Sequence, residues 1–365
     1  MRILYVTTVG GMMGFFKSFI YMLIKEGHTV DIACNRIEDI PELYRELGCR
    51  IYKLPCERKP LRIGNIKSVG KIKNIVLVGE YDIVHCHSPI ASICTRLGCA
   101  GLRKMGVRVI YTAHGFHFYK GAPLTNWLLY YPMEKLCSRF TDVLITINRE
   151  DYLLAVNKMK AKRTIYVPGV GIDIAKYTAL RVNKREKREE IGVPVDAVML
   201  LSLGELNENK NHQAVIYALG QMGEKNIHYV IAGKGDLKNE LLSLAKRLGI
   251  SHRVHLLGYR RDVGELCKAS DIYIHPSFRE GLPVSLMEAM ACGLPVIASD
   301  TRGCADLVKE NGGMLFDPNN AEECRECIES LIDTGMEAVG WRNTANLSEY
   351  SLDRINTQMK EIYRV

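Results

Sequence analysis

Short apolar runs alternate with polar and amphipathic runs along the whole 365-residue chain. In the first half, the stretches Ile3–Thr7, Val30–Ala33, Ile51–Leu54, Ile83–His87, Val107–Thr112, Val143–Ile147 and Ile165–Val167 read as strands. They are short, rich in β-branched residues and bounded by turn formers. The stretches Phe15–Lys25, Ile66–Val78 and Trp127–Cys137 between them carry helical spacing. Buried strands separated by helices predict a parallel, doubly wound sheet covered on both faces. Residues 168–195 break the rhythm. Pro168-Gly169-Val170-Gly171 opens the break and a highly charged stretch, Arg181–Glu190, follows, so the segment reads as a linker and lead-in. A second series then runs through Val198–Leu203, Tyr229–Ala232, Val254–Leu257, Ile272–His275 and Pro295–Ala298. The chain is too long for one ordinary core, and two α/β domains are expected, at residues 1–175 and 176–350.

Composition narrows the class. A hydrophobic content of 47% and a charged content of 25% fit a soluble globular protein. There is no run of 18 uncharged apolar residues to span a bilayer, and residues 1–9 read as a first strand rather than a leader, so a cytoplasmic protein is expected. The twelve cysteines, such as Cys34, Cys86 and Cys292, sit mostly in apolar stretches and read as small hydrophobes in a reducing compartment. The lone C-x2-C of Cys324 and Cys327 reads the same way. Charge is unevenly divided. Residues 1–176 hold 26 basic and 14 acidic side chains, a net of +12, whereas the remainder has 23 and 27, a net of −4. The excess centres on Arg58, Lys59, Arg62, Lys67, Lys71 and Lys73. This is either a solvated face or a surface for an anionic partner. No nucleic-acid-binding signature accompanies it, so the anionic cytoplasmic membrane surface is the preferred partner and nucleic acid is not expected. The segment Ile63–Val78 also places Ile66, Val69, Ile72 and Val76 near helical spacing, giving one apolar face.

The candidate chemistry concentrates in His275–Leu307. Strand Asp271–His275 delivers the turn Gly281-Leu282-Pro283 onto a short helix, Val284–Cys292, with Glu280 and Glu288 on either side. A helix N-terminus offers free N–H groups and the positive end of a dipole to an anion. Carboxylates accept hydrogen bonds from vicinal hydroxyls but repel phosphate. The layout suits a ligand with a phosphate centre and a polyol at each end, which is a sugar nucleotide. This spacing resembles the E-x7-E signature of retaining glycosyltransferases of family 4. That family has the GT-B fold, in which two Rossmann-like doubly wound parallel-sheet domains face a central cleft. Its last helix, here about residues 351–365, packs back on the N-terminal domain. The block Tyr111–Pro123, YTAHGFHFYKGAP, with the following NWLLYYPMEKLCSRFTDVLITINREDY, is similar to bacterial capsule and exopolysaccharide members of the CapM and EpsD type. The likeness covers essentially the whole chain.

The resemblance implies an N-terminal acceptor domain and a C-terminal donor domain. His114 follows a strand and precedes Gly115, at the carboxyl edge of a sheet where ligands bind in open α/β folds; the matching family histidine faces the reacting centre. His87, Phe116 and His117 are expected on the acceptor side, with Phe118 and Tyr119 beside them. Gly10 and Gly11, in a loop that is not G-x-G-x-x-G, still permit close approach to a donor phosphate. Lys210 matches the lysine that contacts the donor diphosphate, where an ammonium stabilises the leaving group. Glu205 stands where the family more often has arginine, leaving Arg279 or Arg302 to supply the second charge. Gly233 and Gly235 fall on the nucleotide side, and Tyr259 and Arg260 lie in the loop that holds the base, largely through backbone groups. Glu280 is expected on the donor sugar, Gly281, Leu282, Pro283 and Val284 near the diphosphate, and Glu288 on the ribose. The catalytic set is therefore His114, Lys210 and Glu280. His85, His87, His114 and His117 can also be read as a metal cluster. The family is metal-independent and the chain has no D-x-D, so neither metal nor other cofactor is expected.

The expected activity is retaining transfer from a nucleotide sugar, a UDP-sugar by preference, to a polyprenyl-diphosphate-linked glycan in capsule or exopolysaccharide synthesis. The protein is then peripheral at the inner face of the cytoplasmic membrane. Two rivals fit the same residues. A GT-B-fold UDP-sugar epimerase releases a new UDP-sugar instead of UDP, and a non-catalytic polysaccharide-assembly protein keeps the fold without turnover.

Overall fold

A computed structural model describes residues 1–60, 62–309 and 312–364, and the chain divides into two compact units, Met1–Gly171 with Leu352–Val365 and Ile172–Ser351. Val365, the end of the expected last helix, lies outside the described residues.

The first unit runs β1 (Arg2–Val9), α1 (Lys17–Lys25), β2 (Thr29–Asn35), α2 (Leu43–Glu46), β3 (Ile51–Lys53), α3 (Ile63–Val78), β4 (Ile83–His87), α4 (Pro89–Cys99), β5 (Arg108–Ala113), α5 (Leu124–Ser138), β6 (Val143–Thr146), α6 (Arg149–Lys158) and β7 (Arg163–Tyr166). Its strands form one parallel sheet in the order β3-β2-β1-β4-β5-β6-β7. The middle of β1 is buried throughout, as a strand covered on both faces requires. Leu4 and Val6 point into a core shared with Ile72, Ile90 and Tyr111, whereas Ile3 and Tyr5 point into one shared with Phe16, Phe19 and Ile355. Strand order reverses between β1 and β4, and at such a switch point the loops diverge and leave a crevice.

The second unit runs α7 (Ile174–Thr178), α8 (Lys184–Glu190), β8 (Val198–Leu203), α9 (His212–Gln221), β9 (Ile227–Ala232), α10 (Lys238–Arg247), β10 (Val254–Gly258), α11 (Val263–Ala269), β11 (Ile272–His275), α12 (Val284–Ala291), β12 (Val296–Ser299), α13 (Arg302–Leu307), β13 (Gly313–Phe316), α14 (Ala321–Thr334) and α15 (Met336–Asn346). Its parallel sheet has the order β10-β9-β8-β11-β12-β13, with the reversal between β8 and β11. The loops after β8 and β11 carry Lys210 and Glu280. All twelve cysteines are buried and unpaired, with Cys324 and Cys327 in the core of this unit.

Three features differ from the sequence reading. Residues 168–195, read as linker and lead-in, carry α7 and α8, and the second unit begins at Ile172 rather than at 176. Within the charged run, Arg188 turns inward. Its Nε donates to Ala269 O at 2.9 Å, Nη1 to Val195 O and Ala197 O, and Nη2 to Asp271 at 2.6 Å. A guanidinium with all three nitrogens satisfied is tolerated in a core where a free charge is not. Second, the apolar face of α3 is largely spent inside the protein. Ile72 and Val76 are buried and Val69 packs on the core, while Ile66 and the lysines at 67, 71 and 73 face solvent. Third, β13 had no clear sequence signal, being four residues that start with glycine.

The chain leaves the first unit through Gly169 and Gly171, both at positive φ. A Cβ at Gly171 would lie 2.9 Å from Leu352 Cα, so only glycine lets the outgoing chain pass the start of α16 (Leu352–Arg364). That helix closes the first core with Ile355, Met359, Ile362 and Tyr363.

Candidate active site

In the first unit the site is built on a stack of rings at the carboxyl ends of β4 and β5. His87, the last residue of β4, shares a hydrogen bond with His114, just beyond β5, with 3.0 Å between His87 Nδ1 and His114 Nε2. Behind it, His87 stacks on Phe16 at 4.1 Å between ring centroids and lies at the same distance from His85. His85 is fixed in turn by Tyr363 Oη at 2.5 Å and Thr112 Oγ1 at 2.8 Å, and Tyr363 bonds Tyr5. Burial lowers all three imidazoles, His114 to about 4 and His85 to about 3, so each is neutral at neutral pH. A neutral His114 can accept or donate a proton bond toward a ligand without placing a cation there.

His87 is buried, with its Nδ1 against His114 Nε2. Phe116 is a core residue stacked on Phe118 at 4.8 Å, and Phe118 in turn meets Trp127 and Tyr131 of α5. His117 is half-buried and packs on Tyr130 at 4.5 Å. Gly10 lies in a 3-10 turn, Gly10–Phe16, where a Cβ would meet Arg36 O at 2.6 Å, so its smallness serves local packing; Gly11 beside it is exposed. Ser88 was not singled out from sequence. It sits beside His87 at φ 65, strained for a residue with a side chain, and is held by Thr8 through its hydroxyl at 2.7 Å.

In the second unit the charged groups converge at the β8/β11 switch point. Lys210 Nζ donates to Glu280 Oε1 at 2.7 Å, and His275 Nε2, at the end of β11, donates to the same oxygen at 3.0 Å. Burial raises the Glu280 carboxyl, but the His275 hydrogen bond and the Lys210 charge outweigh it and hold the acid below the usual carboxylate range. Burial holds His275 neutral, so Lys210 is the cation of this triad. The backbone is pinned around it. Arg302 Nε donates to Glu280 O at 3.1 Å, Asn209 Nδ2 to Arg279 O at 3.0 Å and Phe278 N to Asn209 O at 2.8 Å. Of the two arginines considered for the second charge, Arg302 thus braces the turn, while Arg279 is exposed. Glu205 is exposed and accepts from Asn207.

Gly281-Leu282-Pro283 then leads into α12. A Cβ at Gly303 would meet Gly281 O at 2.2 Å, so the turn rests directly on α13. Pro283 caps α12 without a side-chain bond, leaving the first N–H groups, from Val284 onward, without helical acceptors. Glu288, one turn into α12, accepts from Tyr177 Oη at 2.6 Å. Burial raises Glu288, and the Tyr177 bond offsets part of that rise. Gly233 and Gly235 are required by contact: their Cβ atoms would lie 1.7 Å from Gly204 O and 2.3 Å from Leu206 O, which brings the loop after β9 against the Lys210 turn. Tyr259 is exposed. Arg260 is committed to Asp262 and Glu190 at 2.5–2.8 Å, so its side chain is not free for a ligand and the loop offers backbone groups. Tyr177 and His275 were missed from sequence as functional residues. His275 has a signal, its place five residues before Glu280 at a strand end; Tyr177 has none. Among the described residues, no three His, Cys, Asp or Glu side chains assemble with metal-holding geometry.

Tandem doubly wound parallel sheets, the second with a lysine–carboxylate pair and a free helix N-terminus at its switch point, are the architecture of GT-B glycosyltransferases. Residues 183–348 match the family described as "Glycosyl transferases group 1", and residues 2–148 match "Glycosyl transferase 4-like". The EpsD protein of Bacillus subtilis is 34% identical over 357 residues, covering 96% of this chain and 91% of that protein. The UDP-Gal:alpha-D-GlcNAc-diphosphoundecaprenol alpha-1,3-galactosyltransferase of Escherichia coli is 28% identical over 94% of this chain and 90% of its own length. Among solved structures, Anabaena HepE in complex with UDP and glucose matches with a TM-score of 0.81 at 20% identity, over 100% of this chain and 99% of that one. WaaG, a lipopolysaccharide-biosynthesis glycosyltransferase, matches at 0.77 and 18% over 99% of both chains. The chain belongs to glycosyltransferase family 4 and has the GT-B fold.

Proposed function

We propose that this glycosyltransferase moves a sugar, with retention of configuration and without a metal ion, from a UDP-sugar to a polyprenyl-diphosphate-linked glycan in capsule or exopolysaccharide synthesis. The observation that carries the reading is the Lys210–Glu280–His275 triad beside the N-terminus of α12. A diphosphate arriving at that N-terminus competes with Glu280 for the Lys210 ammonium. The cation then stabilises the departing diphosphate, and Glu280, still held by His275, is free to accept from a sugar hydroxyl. Glu288, shared with Tyr177, accepts from the ribose. His114, kept neutral by burial and oriented by His87, serves the reacting centre from the first unit. Transfer on one face is assigned to the leaving phosphate accepting the acceptor proton, with no covalent nucleophile assigned. The lipid-linked acceptor rests on the activity that names the Escherichia coli relative.

A membrane-bound acceptor calls for a surface that meets the bilayer, and α5 supplies one beside α3, which itself exposes Ile63, Ile66 and Val78. One side of α5 packs Trp127, Tyr130 and Tyr131 on the core, while Leu124 (73% exposed), Leu128 (70%), Leu129, Met133 and Leu136 form a stripe toward solvent. An apolar face on both sides of a helix fits a lipid-facing element. Exposed Lys120, Lys135 and Arg139 flank it, and each base near an anionic leaflet contributes about 1 kcal/mol. The function is tested by incubating the protein with UDP-linked glucose, galactose, N-acetylglucosamine and N-acetylgalactosamine, with and without undecaprenyl-diphosphate-linked monosaccharides. The account expects UDP release and an extended lipid-linked glycan only when both substrates are present. A new UDP-sugar formed without acceptor indicates an epimerase instead, and no turnover with any pair contradicts the reading.

A further inference from the structure

Helices α9 and α10 line a groove of about 680 Å³ on the second unit. Asn207 and Glu208, from the turn that carries Lys210, and Phe278 also line it. Its volume is in the range of sites that take small ligands, ~300–1,000 Å³. Gln213 and Tyr217 line one wall at i and i+4 of α9; Asn239, Glu240 and Arg247 line the other from α10. Among the described residues, these five side chains make no hydrogen bond or ion pair with the protein. Yet they are held on two packed helices rather than on loops.

The chemistry of this lining selects a ligand class. Two aromatic rings, Tyr217 at 43% and Phe278 at 36% exposure, offer flat apolar faces. The amides of Gln213 and Asn239 offer both donors and acceptors, and one carboxylate is set against one guanidinium. The acids Glu208 and Glu240 outnumber Arg247, which disfavours a phosphate or a nucleic acid. The polar lining equally disfavours an apolar helix, which would leave the donors and acceptors of these five side chains unpaired. A neutral saccharide has what remains: hydroxyls for the planar polar groups and a C–H face for each ring. We propose that the α9/α10 groove is a second carbohydrate site, which binds a neutral oligosaccharide of about two or three pyranose units separately from the nucleotide. From the glycosyltransferase reading it takes only the substrate class, and it does not depend on the transfer chemistry. The groove shares Asn207 and Glu208 with the turn that carries Lys210, but neither Lys210 nor Glu280 lines it.

Saturation-transfer NMR tests this with the full chain, saturating UDP, and maltotriose, cellotriose, triacetylchitotriose and galactotriose as probes. At least one trisaccharide should receive saturation on its ring C–H protons. Tyr217→Ala should weaken its binding about tenfold, the loss of one stacked ring. Arg247→Ala should weaken it to a lesser degree. Both side chains are exposed, so neither change should move the melting temperature. Glu280→Gln should leave trisaccharide binding unchanged. The proposal is overturned if no trisaccharide receives saturation, if Tyr217→Ala binds as the wild type does, or if UDP or Glu280→Gln abolishes the signal. Loss of transfer activity alone, with the NMR pattern intact, counts against the transfer reading and not against this site.

Discussion

The pair Lys210–Glu280 holds the donor side together before any ligand arrives, and a double-mutant cycle measures how strongly. The contact is 2.7 Å, with side chains 21% and 14% exposed. At an effective dielectric of ~20 the gross attraction is about 6 kcal/mol. Desolvation of two partly buried ions cancels much of it, and breaking such a pair costs less than the ~3–5 kcal/mol of a fully buried one. Lys210→Met should therefore destabilise the second unit by about 2–3 kcal/mol, because Glu280 is left buried with only neutral His275 as donor. For a unit of this size that is a fall of roughly 4–12 °C in melting temperature. Glu280→Gln should cost about 1 kcal/mol, since the freed ammonium can swing toward solvent. The double variant should resemble Glu280→Gln alone, giving a coupling of about 2 kcal/mol. The sign with pH follows from the depressed Glu280 acid. Its stabilisation is present above the unfolded value of ~4.3 and is lost as pH falls further, so the Lys210→Met deficit should shrink below about pH 4. Differential scanning calorimetry from about pH 8 to about pH 3.5 reads all of this. Additive single-variant costs, or a Lys210→Met deficit that persists in acid, would refute the triad as drawn.

Other consequences follow from separate contacts. Glu288→Gln should weaken UDP by about 1–3 kcal/mol in isothermal titration, while Tyr177→Phe, which removes only the hydroxyl holding Glu288, should weaken it less; equal UDP affinity in all three proteins contradicts the ribose assignment. Arg188→Met should destabilise the second unit by about 3 kcal/mol or more in thermal melts, because three carbonyls lose their donor while Asp271 keeps only Lys184 and Met199 N; a melt like wild type contradicts a structural role for α8. Leu124→Ser with Leu128→Ser should abolish co-sedimentation with anionic liposomes more completely than reversing Lys67, Lys71 and Lys73 to glutamate; the opposite ranking returns membrane docking to α3.

The strands were legible because each is a short apolar run set off by helices, and the expected boundaries lie within two residues of those found. Tyr363 shows where that legibility ends. Its place in a polar-looking terminal helix says nothing of its hydroxyl reaching His85, which depends on a contact 278 positions away in sequence. Glu280, Lys210 and His114 were legible because strand-end and helix-start positions expose side chains at a sheet edge. The burial of His87 and Phe116 was not, since alternation along a strand assigns a face but not the depth of what covers it. The charged run around Arg188 misled for a related reason. Charge in a sequence reads as solvent exposure, and only the geometry of four waiting acceptors reverses that reading. Tyr177 was hidden by the same misreading, because it lies in the stretch taken as linker.

The central claim is retaining, metal-independent transfer from a UDP-sugar, and proton NMR of the first product formed tests it most directly. With a UDP-α-sugar donor, a lipid-linked acceptor and excess EDTA, the account predicts an α-linked product with the small anomeric coupling of an axial linkage, formed at the rate seen without EDTA. A β-linked product, or activity lost to EDTA and restored by manganese, would contradict it.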